Sequence, residues 1–164
     1  MGSYKEVNGD LIKLAKKGEF DLIAHGCNCF ATMGAGIAKT IKANFPEAYR
    51  ADKKYRARPL NRLGTSSTAS CKTDDGEKLL VLNLYTQFLP GPDYNYDAIA
   101  DSFSNLVRSY KGSEVIRIGI PLIGCGIAGG DWKIVKKIVK SKLKGFDVTV
   151  VKFNQKWVRK YATK

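Results

Sequence analysis

The chain has 164 residues, 44% of them hydrophobic, and a formal net charge of +13 at pH 7. That length suits a single domain with a buried core, which we expect to span residues 1–164 as a monomer. The sequence lacks an apolar run near the roughly 20 residues of a membrane span, and it begins without an apolar signal region, so we expect no membrane partner and a cytoplasmic location. Two of the four cysteines are separated by a single residue, which is a poor disulfide spacing and typical of reduced thiols.

The first half of the chain predicts short strands separated by helices. Apolar runs and helical spacing predict a strand over 4–7, a helical turn through Leu11, Leu14 and Ala15, a strand over 20–24, a helix over 37–45 and a polar helix over 47–57. Segments 65–72 and 78–85 flank an Asp75-Gly76 pair, which is a hairpin signal.

The second half continues this alternation after a surface loop, predicted over 87–95 from its prolines and glycine. Helices are expected over 96–110 and 131–143, and strands over 115–121 and 146–153. Strands that alternate with helices predict an α/β protein with a three-layer α/β/α arrangement around a mixed, largely parallel sheet. Sheets of this kind bind ligands beyond the carboxyl ends of their strands.

Two glycine-rich turns are the most informative feature of the sequence. Residues 33–38 (Met-Gly-Ala-Gly-Ile-Ala) form the first glycine turn and residues 123–130 (Ile-Gly-Cys-Gly-Ile-Ala-Gly-Gly) the second, and each lies between a predicted strand and a predicted helix. Glycine permits a positive φ and a close approach of backbone N–H groups to an anion, and the following helix adds the positive end of its dipole. Two such turns can hold a diphosphate between them, so the pattern predicts a nucleotide-diphosphate site.

The two glycine turns do not match either of two common nucleotide-binding motifs completely. Gly124, Gly126 and Gly129 match the dinucleotide fingerprint, but that motif requires an acidic residue about 20 positions later, where the chain has residues 150–153 (Val-Val-Lys-Phe). A phosphate-binding loop requires a second glycine where the first turn has Ala38. We therefore expect no nicotinamide or flavin cofactor.

Several polar residues around the first glycine turn could have either a structural or a functional role. His25 is the one histidine of the chain and lies at the end of a predicted strand beside an anion-binding turn, so a catalytic and a structural role are both open. Asn28 offers a donor and an acceptor to a ribose diol, or it satisfies the backbone of a turn. Cys27 and Cys29 lack the spacing of a zinc ligand pair and are expected to pack as small apolar residues, so no metal site is expected.

Three further residues are equally ambiguous. Asp131 begins a predicted helix after the second turn, where it is a helix cap or a base near bound phosphates. Asp10 is a helix cap or an acceptor for a purine amino group. Phe153 follows the last predicted strand, where it stacks on an adenine or belongs to the core.

Taken in order, these motifs resemble the macro domain family, an α/β fold that binds ADP-ribose, from about residue 4 to residue 153. Gly9-Asp10-Leu11 is similar to the family's Gly-Asp-Ile opening, residues 25–28 (His-Gly-Cys-Asn) to its Asn-Ala-Ala-Asn motif, and the glycine turns to its two diphosphate loops. The resemblance implies an ADP-ribose derivative as small-molecule partner. The residues it implies for ligand binding are Asp10, Leu11, Asn28, Gly34, Ala35, Gly36, Ile37, Ile123, Gly124, Cys125, Gly126, Ile127, Ala128 and Phe153.

Departures from the usual motif resemble one branch of the family. His25 replaces the first asparagine, and Asp131 follows the second turn, as in small stand-alone macro domains that remove the 1″-phosphate from ADP-ribose 1″-phosphate, a by-product of tRNA splicing. By this resemblance His25 and Asp131 are the catalytic pair. The alternatives are a non-catalytic ADP-ribose-binding module and an ADP-ribosyl-ester hydrolase. Gln87 and Ala128 argue against the ester hydrolase, because that branch has a lysine and an aspartate at the positions we align with them.

The positive charge is concentrated toward the C-terminus. Residues 133–164 contain eleven Lys and Arg against the single acid Asp147, whereas residues 73–132 contain four basic and eight acidic residues. A basic surface attracts phosphate-bearing partners, or it simply keeps a protein soluble. A nucleic-acid partner at this basic C-terminal face is compatible with the sequence but not required by it.

Overall fold

The computed structural model of the chain describes residues 2–110, 112 and 114–153. Within these residues the strands are β1 (Ser3–Asn8), β2 (Leu22–Cys27), β3 (Ser66–Lys72), β4 (Lys78–Tyr85), β5 (Arg117–Ile120) and β6 (Asp147–Lys152). The helices are α1 (Leu11–Lys16), α2 (Gly36–Asn44), α3 (Pro46–Lys54), α4 (Pro59–Arg62), α5 (Tyr96–Ser109) and α6 (Trp132–Lys142). The predicted order of elements is confirmed, and the short helix α4 is an addition to it.

The described strands form one sheet in the order β1-β6-β5-β2-β4-β3. All neighbouring pairs are parallel except β3 with β4, which are antiparallel. The predicted hairpin turn joins this pair, and Gly76 has a φ of 80°, a conformation that favours glycine. The prediction of a mixed, largely parallel sheet is confirmed.

Helices cover both faces of the sheet. On one face, Ile41 of α2 and Phe45 at its end belong to a buried cluster with β2, β3 and β4. On the other face, Phe103 of α5 and Val139 of α6 belong to a second buried cluster with β2, β4, β5 and β6. This is the predicted three-layer α/β/α arrangement. No described helix has both the length and the apolar character that crossing a bilayer requires.

Strand β2 is longer than its apolar run predicts. The run ends at Ala24, whereas the strand continues to Cys27 because His25 and Gly26 pair in register with Asn83 and Leu84 of β4. The predicted end of the strand at residue 24 is therefore wrong, and His25 lies near the carboxyl end of β2, not just after it. His25 lies within the sheet, on the face that α3 covers.

The polar helix predicted over 47–57 is shorter than expected. It ends at Lys54, because Tyr55 has extended backbone, and the chain then enters α4 through Pro59 at the first helical position. This change of direction brings Asp52 of α3 and Arg62 of α4 together as a buried ion pair.

Candidate functional site

A cleft of about 1090 Å³ runs along the carboxyl ends of the parallel strands. Neighbouring strands are about 4.8 Å apart, so the five parallel strands span about 19 Å, enough for a base, two sugars and a diphosphate in line. Asp10 and Phe153 lie at the end of the cleft next to β1 and β6, which we call the Phe153 end. Asn28 and Gln87 lie at the opposite end, next to β2 and β4, which we call the Gln87 end.

All the residues predicted to bind ligand line this one cleft. They are Asp10, Leu11, Asn28, Gly34, Ala35, Gly36, Ile37, Ile123, Gly124, Cys125, Gly126, Ile127, Ala128 and Phe153. The two glycine turns lie between its ends and approach each other closely, since a Cβ on Gly36 would lie 3.3 Å from Cδ1 of Ile127. Their contact with a ligand stays a prediction, and the geometry brings them together as that prediction requires.

The first glycine turn leaves the N-terminus of α2 without a side-chain cap. Ala35 is the N-cap residue of α2 and makes no capping hydrogen bond through its side chain. The first N–H groups of a helix have no partner within the helix, and they bind anions where no side chain satisfies them. Just before this helix, Ala31 and Met33 have φ values of 55° and 41°, and such strain in non-glycine residues is typical of functional loops.

The second glycine turn is closed by its own backbone. The N–H of Gly130 donates to the carbonyl of Gly124 at 2.7 Å, and the N–H of Gly129 donates to Gly126 at 3.1 Å. Gly124 and Gly129 have φ values of 75° and 83°. A Cβ on Gly130 would lie 2.5 Å from the Gly124 carbonyl oxygen, so the turn cannot close with a larger residue at that position.

At the Phe153 end, an aromatic ring and a carboxylate border the cleft. Phe153 is 59% exposed, so its ring is open to stacking. Asp10 caps α1, with Oδ1 accepting from the N–H groups of Ile12 and Lys13 at 3.0 and 3.2 Å. The capping role of Asp10 is confirmed, and its contact with a purine amino group stays a prediction.

At the Gln87 end, the side-chain amides of two residues hold loops in place. Asn28 donates from Nδ2 to Oγ1 of Thr32 at 2.7 Å, and its Oδ1 accepts from the N–H of Phe30 at 2.8 Å. Gln87 donates to the carbonyls of Leu89 and Gly91. Both amides therefore make hydrogen bonds within their own loops, and the contact of Asn28 with a ribose stays a prediction.

The predicted catalytic pair is not brought together at the cleft. His25 is fully buried, and its Nε2 lies 2.6 Å from Oδ1 of Asn83. Burial lowers the pKa of His25 to about 4. Asp131 is exposed and caps α6, with Oδ1 accepting from the N–H of Lys133 at 2.9 Å. Neither His25 nor Asp131 lines the cleft.

A buried polar cluster behind the Gln87 end was missed from the sequence. Asp52 lines the cleft, and its Oδ1 accepts from Oη of Tyr85 at 2.7 Å and from Nη1 of Arg62 at 3.1 Å. Arg62 also donates to the carbonyls of Ala57 and Tyr55, at 3.0 and 2.6 Å. The sequence did contain a signal, since Asp52 follows the buried Ala48 by four residues and so lies on the inner face of its helix.

Comparisons with known proteins agree with this geometry. The model of the macro domain family matches residues 24–139. An uncharacterized 17.5 kDa protein from the tk-vs intergenic region of Enterobacteria phage T4 is 35% identical over 150 residues, which cover 90% of this chain and 94% of the phage protein. A protein of Lodderomyces elongisporus named ADP-ribose 1″-phosphate phosphatase is 27% identical over 158 residues, covering 90% of this chain and 97% of the relative.

A solved structure shares the fold. Thermosipho africanus DarTG in complex with ADP-ribose matches with a TM-score of 0.72 at 20% identity, covering 95% of this chain and 43% of that one. The family model covers more than half of the chain, and the phage relative exceeds 30% identity over nearly all of it. On these grounds the chain belongs to the macro domain family, whose members bind ADP-ribose.

Proposed function

We propose that this protein binds ADP-ribose in the cleft and hydrolyses ADP-ribose 1″-phosphate to ADP-ribose and phosphate. The observation that supports binding most directly is the close approach of the two glycine turns in the cleft that Phe153 and Asn28 also line. Hydrolysis is supported by the name of the Lodderomyces relative, which aligns along 90% of the chain.

The expected arrangement of the ligand follows the order of the sheet. The adenine stacks on Phe153 at the β1 and β6 side and donates its amino group to Asp10. The diphosphate lies between the glycine turns, where N–H groups of α2 and of the second turn approach its oxygens. The distal ribose, which is the ribose farther from adenine, then reaches the Gln87 end near Asn28.

The reaction that we propose is a phosphoryl transfer to water. Water attacks phosphorus, the bond between phosphorus and the 1″ oxygen breaks, and that oxygen leaves as the hydroxyl of ADP-ribose while phosphate is released. Backbone N–H groups of the glycine turns, directed at the transferred phosphoryl group, would stabilise the charge of the transition state. No cofactor is required for this step.

The catalytic roles of His25 and Asp131 remain a prediction with a geometric obstacle. His25 is fully buried, and Asp131 serves the first turn of α6 at the surface, so one or both must move for the pair to act on a bound phosphate. This same observation favours the second candidate function, a module that binds ADP-ribose without hydrolysing it.

Two measurements on the purified protein test the proposal. Calorimetry should give tighter binding for ADP-ribose than for ADP or AMP, because the longer ligand uses both turns and the Gln87 end. Equal affinity for AMP and ADP-ribose would contradict the assignment of the cleft. Phosphate release from ADP-ribose 1″-phosphate, measured with a chelator present, should persist, and binding without any release would identify the binding module.

A further inference from the structure

A buried carboxylate with one free oxygen lies at the wall of the cleft. The side chain of Asp52 is 1% exposed, and its Oδ1 already accepts two hydrogen bonds, from Tyr85 and Arg62. Its Oδ2 is buried and has no hydrogen-bond partner among the described residues. Buried polar atoms in native proteins are nearly always paired, so an unpaired carboxylate oxygen at a cleft wall calls for a partner from the ligand.

A directed chain of hydrogen bonds fixes this carboxylate. It passes through His25, Asn83, Ser67, Tyr85 and Asp52, and Asp52 lines the cleft. Asn83 donates from Nδ2 to the carbonyl of Ala48 at 2.9 Å and to Ser67 Oγ at 3.0 Å, so its Oδ1 is the acceptor for His25. Nε2 of His25 therefore holds the proton and donates it to this bond.

The same reasoning continues to Asp52. The Ser67 hydroxyl, which accepts from Asn83, is free to donate to Tyr85 Oη at 2.8 Å, and Tyr85 donates to Oδ1 of Asp52. An amide in the middle of the chain does not pass protons on, so the chain orients groups and does not conduct protons. Its effect is to hold Oδ1 against its two donors and leave Oδ2 as the remaining acceptor.

The position of Asp52 along the cleft identifies its partner. Among the described residues that line the cleft, the carboxylates are Asp10 and Asp52. Asp10 is engaged at the Phe153 end, where it caps α1. Asp52 lies with Cys27 and Gln87 toward β2 and β4, which is the end where the proposed ligand has its distal ribose.

We propose that Oδ2 of Asp52 accepts a hydrogen bond from a hydroxyl of the distal ribose, which makes Asp52 a specificity-determining residue that distinguishes ADP-ribose from ADP. This inference rests on the proposed function. Because Oδ2 is covered in the present state, the hydroxyl has to enter the wall of the cleft, and a local movement there is part of the proposal. A ribose hydroxyl would supply the donor that Oδ2 lacks.

Calorimetry on the full chain with two ligands tests the inference. Asp52→Asn keeps the shape of the side chain but replaces an acceptor with an NH₂ group. We expect its affinity for ADP-ribose to fall at least about tenfold, as for loss of a hydrogen bond to a charged group. Its affinity for ADP, which has no distal ribose, should change less than about twofold. Asp75→Asn is the matched control, since this exposed carboxylate lies in the turn between β3 and β4, away from the cleft, and its replacement should leave the ratio of the two affinities unchanged.

The outcomes separate this inference from the proposed function. A wild-type protein that binds ADP-ribose and ADP equally would overturn both. A wild-type protein that prefers ADP-ribose, with the preference intact in Asp52→Asn, would overturn the inference alone, as would an equal loss of both ligands in the folded variant. Carbon-13 NMR of the wild-type protein does not depend on the variant folding: the Asp52 carboxyl resonance should shift with ADP-ribose and not with ADP, and equal shifts would also overturn the inference.

Discussion

Acidification from pH 8 to pH 5 should remove the contribution that the buried, neutral His25 makes to the stability of this protein. In the folded state its pKa is about 4, because burial disfavours the charged imidazolium, whereas its ordinary value is 6.5. Between these two values the unfolded chain binds a proton that the folded protein does not. The contribution of His25 to stability is therefore complete above about pH 6.5 and is lost as the pH falls toward 4.

The size of the effect follows from the two pKa values. Linkage gives a loss of about 2 kcal/mol between pH 8 and pH 5, and about 3 kcal/mol at pH 4. Glu6 and Asp21 also have lowered pKa values, but their ordinary values are 4.5 and 3.8, so they contribute little above pH 5. Between pH 8 and pH 5 these two carboxylates therefore do not obscure the effect of His25, which is the one histidine in the sequence.

Urea unfolding at several pH values measures this loss. The matched control is His25→Gln, which does not titrate and retains an N–H donor toward Asn83. Burial raises the pKa of Asp52, which acts in the opposite direction, but that carboxyl is present in both proteins and is removed by subtraction. A loss of stability between pH 8 and pH 5 that is equal in the wild-type protein and in His25→Gln would refute the burial argument.

The remaining predictions concern the turns and the two ends of the cleft. Gly130→Ala should abolish ADP-ribose binding in calorimetry, because its Cβ would lie 2.5 Å from the Gly124 carbonyl oxygen, whereas Gly145→Ala, outside the cleft, meets nothing within 4 Å and should bind normally. Phe153→Ala should weaken ADP-ribose and AMP by the same two- to tenfold, about the value of one aromatic stack, and a selective loss of one ligand would contradict stacking on adenine. Asp131→Ala should lower the free energy of unfolding by about 1 kcal/mol through the lost cap, and a phosphate-release rate that falls about a hundredfold at unchanged affinity would instead support the catalytic assignment.

The sequence predicted those parts of the molecule that depend on local pattern. The alternation of strands and helices determines the three layers. The glycine turns lie at the carboxyl ends of strands because each follows a strand in the sequence. The capping role of Asp131 is confirmed because a cap depends only on the residues that follow it. The contact between the two turns, at Gly36 and Ile127, follows from the parallel order of β2 and β5.

The polar interior could not be predicted in the same way. His25 and Asn83 are 58 residues apart in the chain, and only the register of β2 with β4 makes them neighbours. Once that register is known, residues 25–27 belong to β2 and not to a loop, and the His25 side chain must face α3. Asp52 and Arg62 likewise meet only because the chain changes direction at Tyr55, which a helical pattern continuing to residue 57 did not reveal.

Arg62 limits how this sequence can vary. Its guanidinium donates to Ala57, Asp52 and Tyr55, and it lies 5.2 Å from the ring centres of both Tyr55 and Tyr85. A lysine has the same charge, but it lacks the planar guanidinium and has fewer hydrogen-bond donors. This usually conservative replacement would therefore leave buried acceptors without a donor. We therefore expect position 62 to tolerate neither lysine nor a neutral residue on its own. A substitution of Arg62 would have to be accompanied by substitutions of its partners. We therefore expect related sequences to keep or replace this buried cluster together, while the residues on the surface around it vary independently.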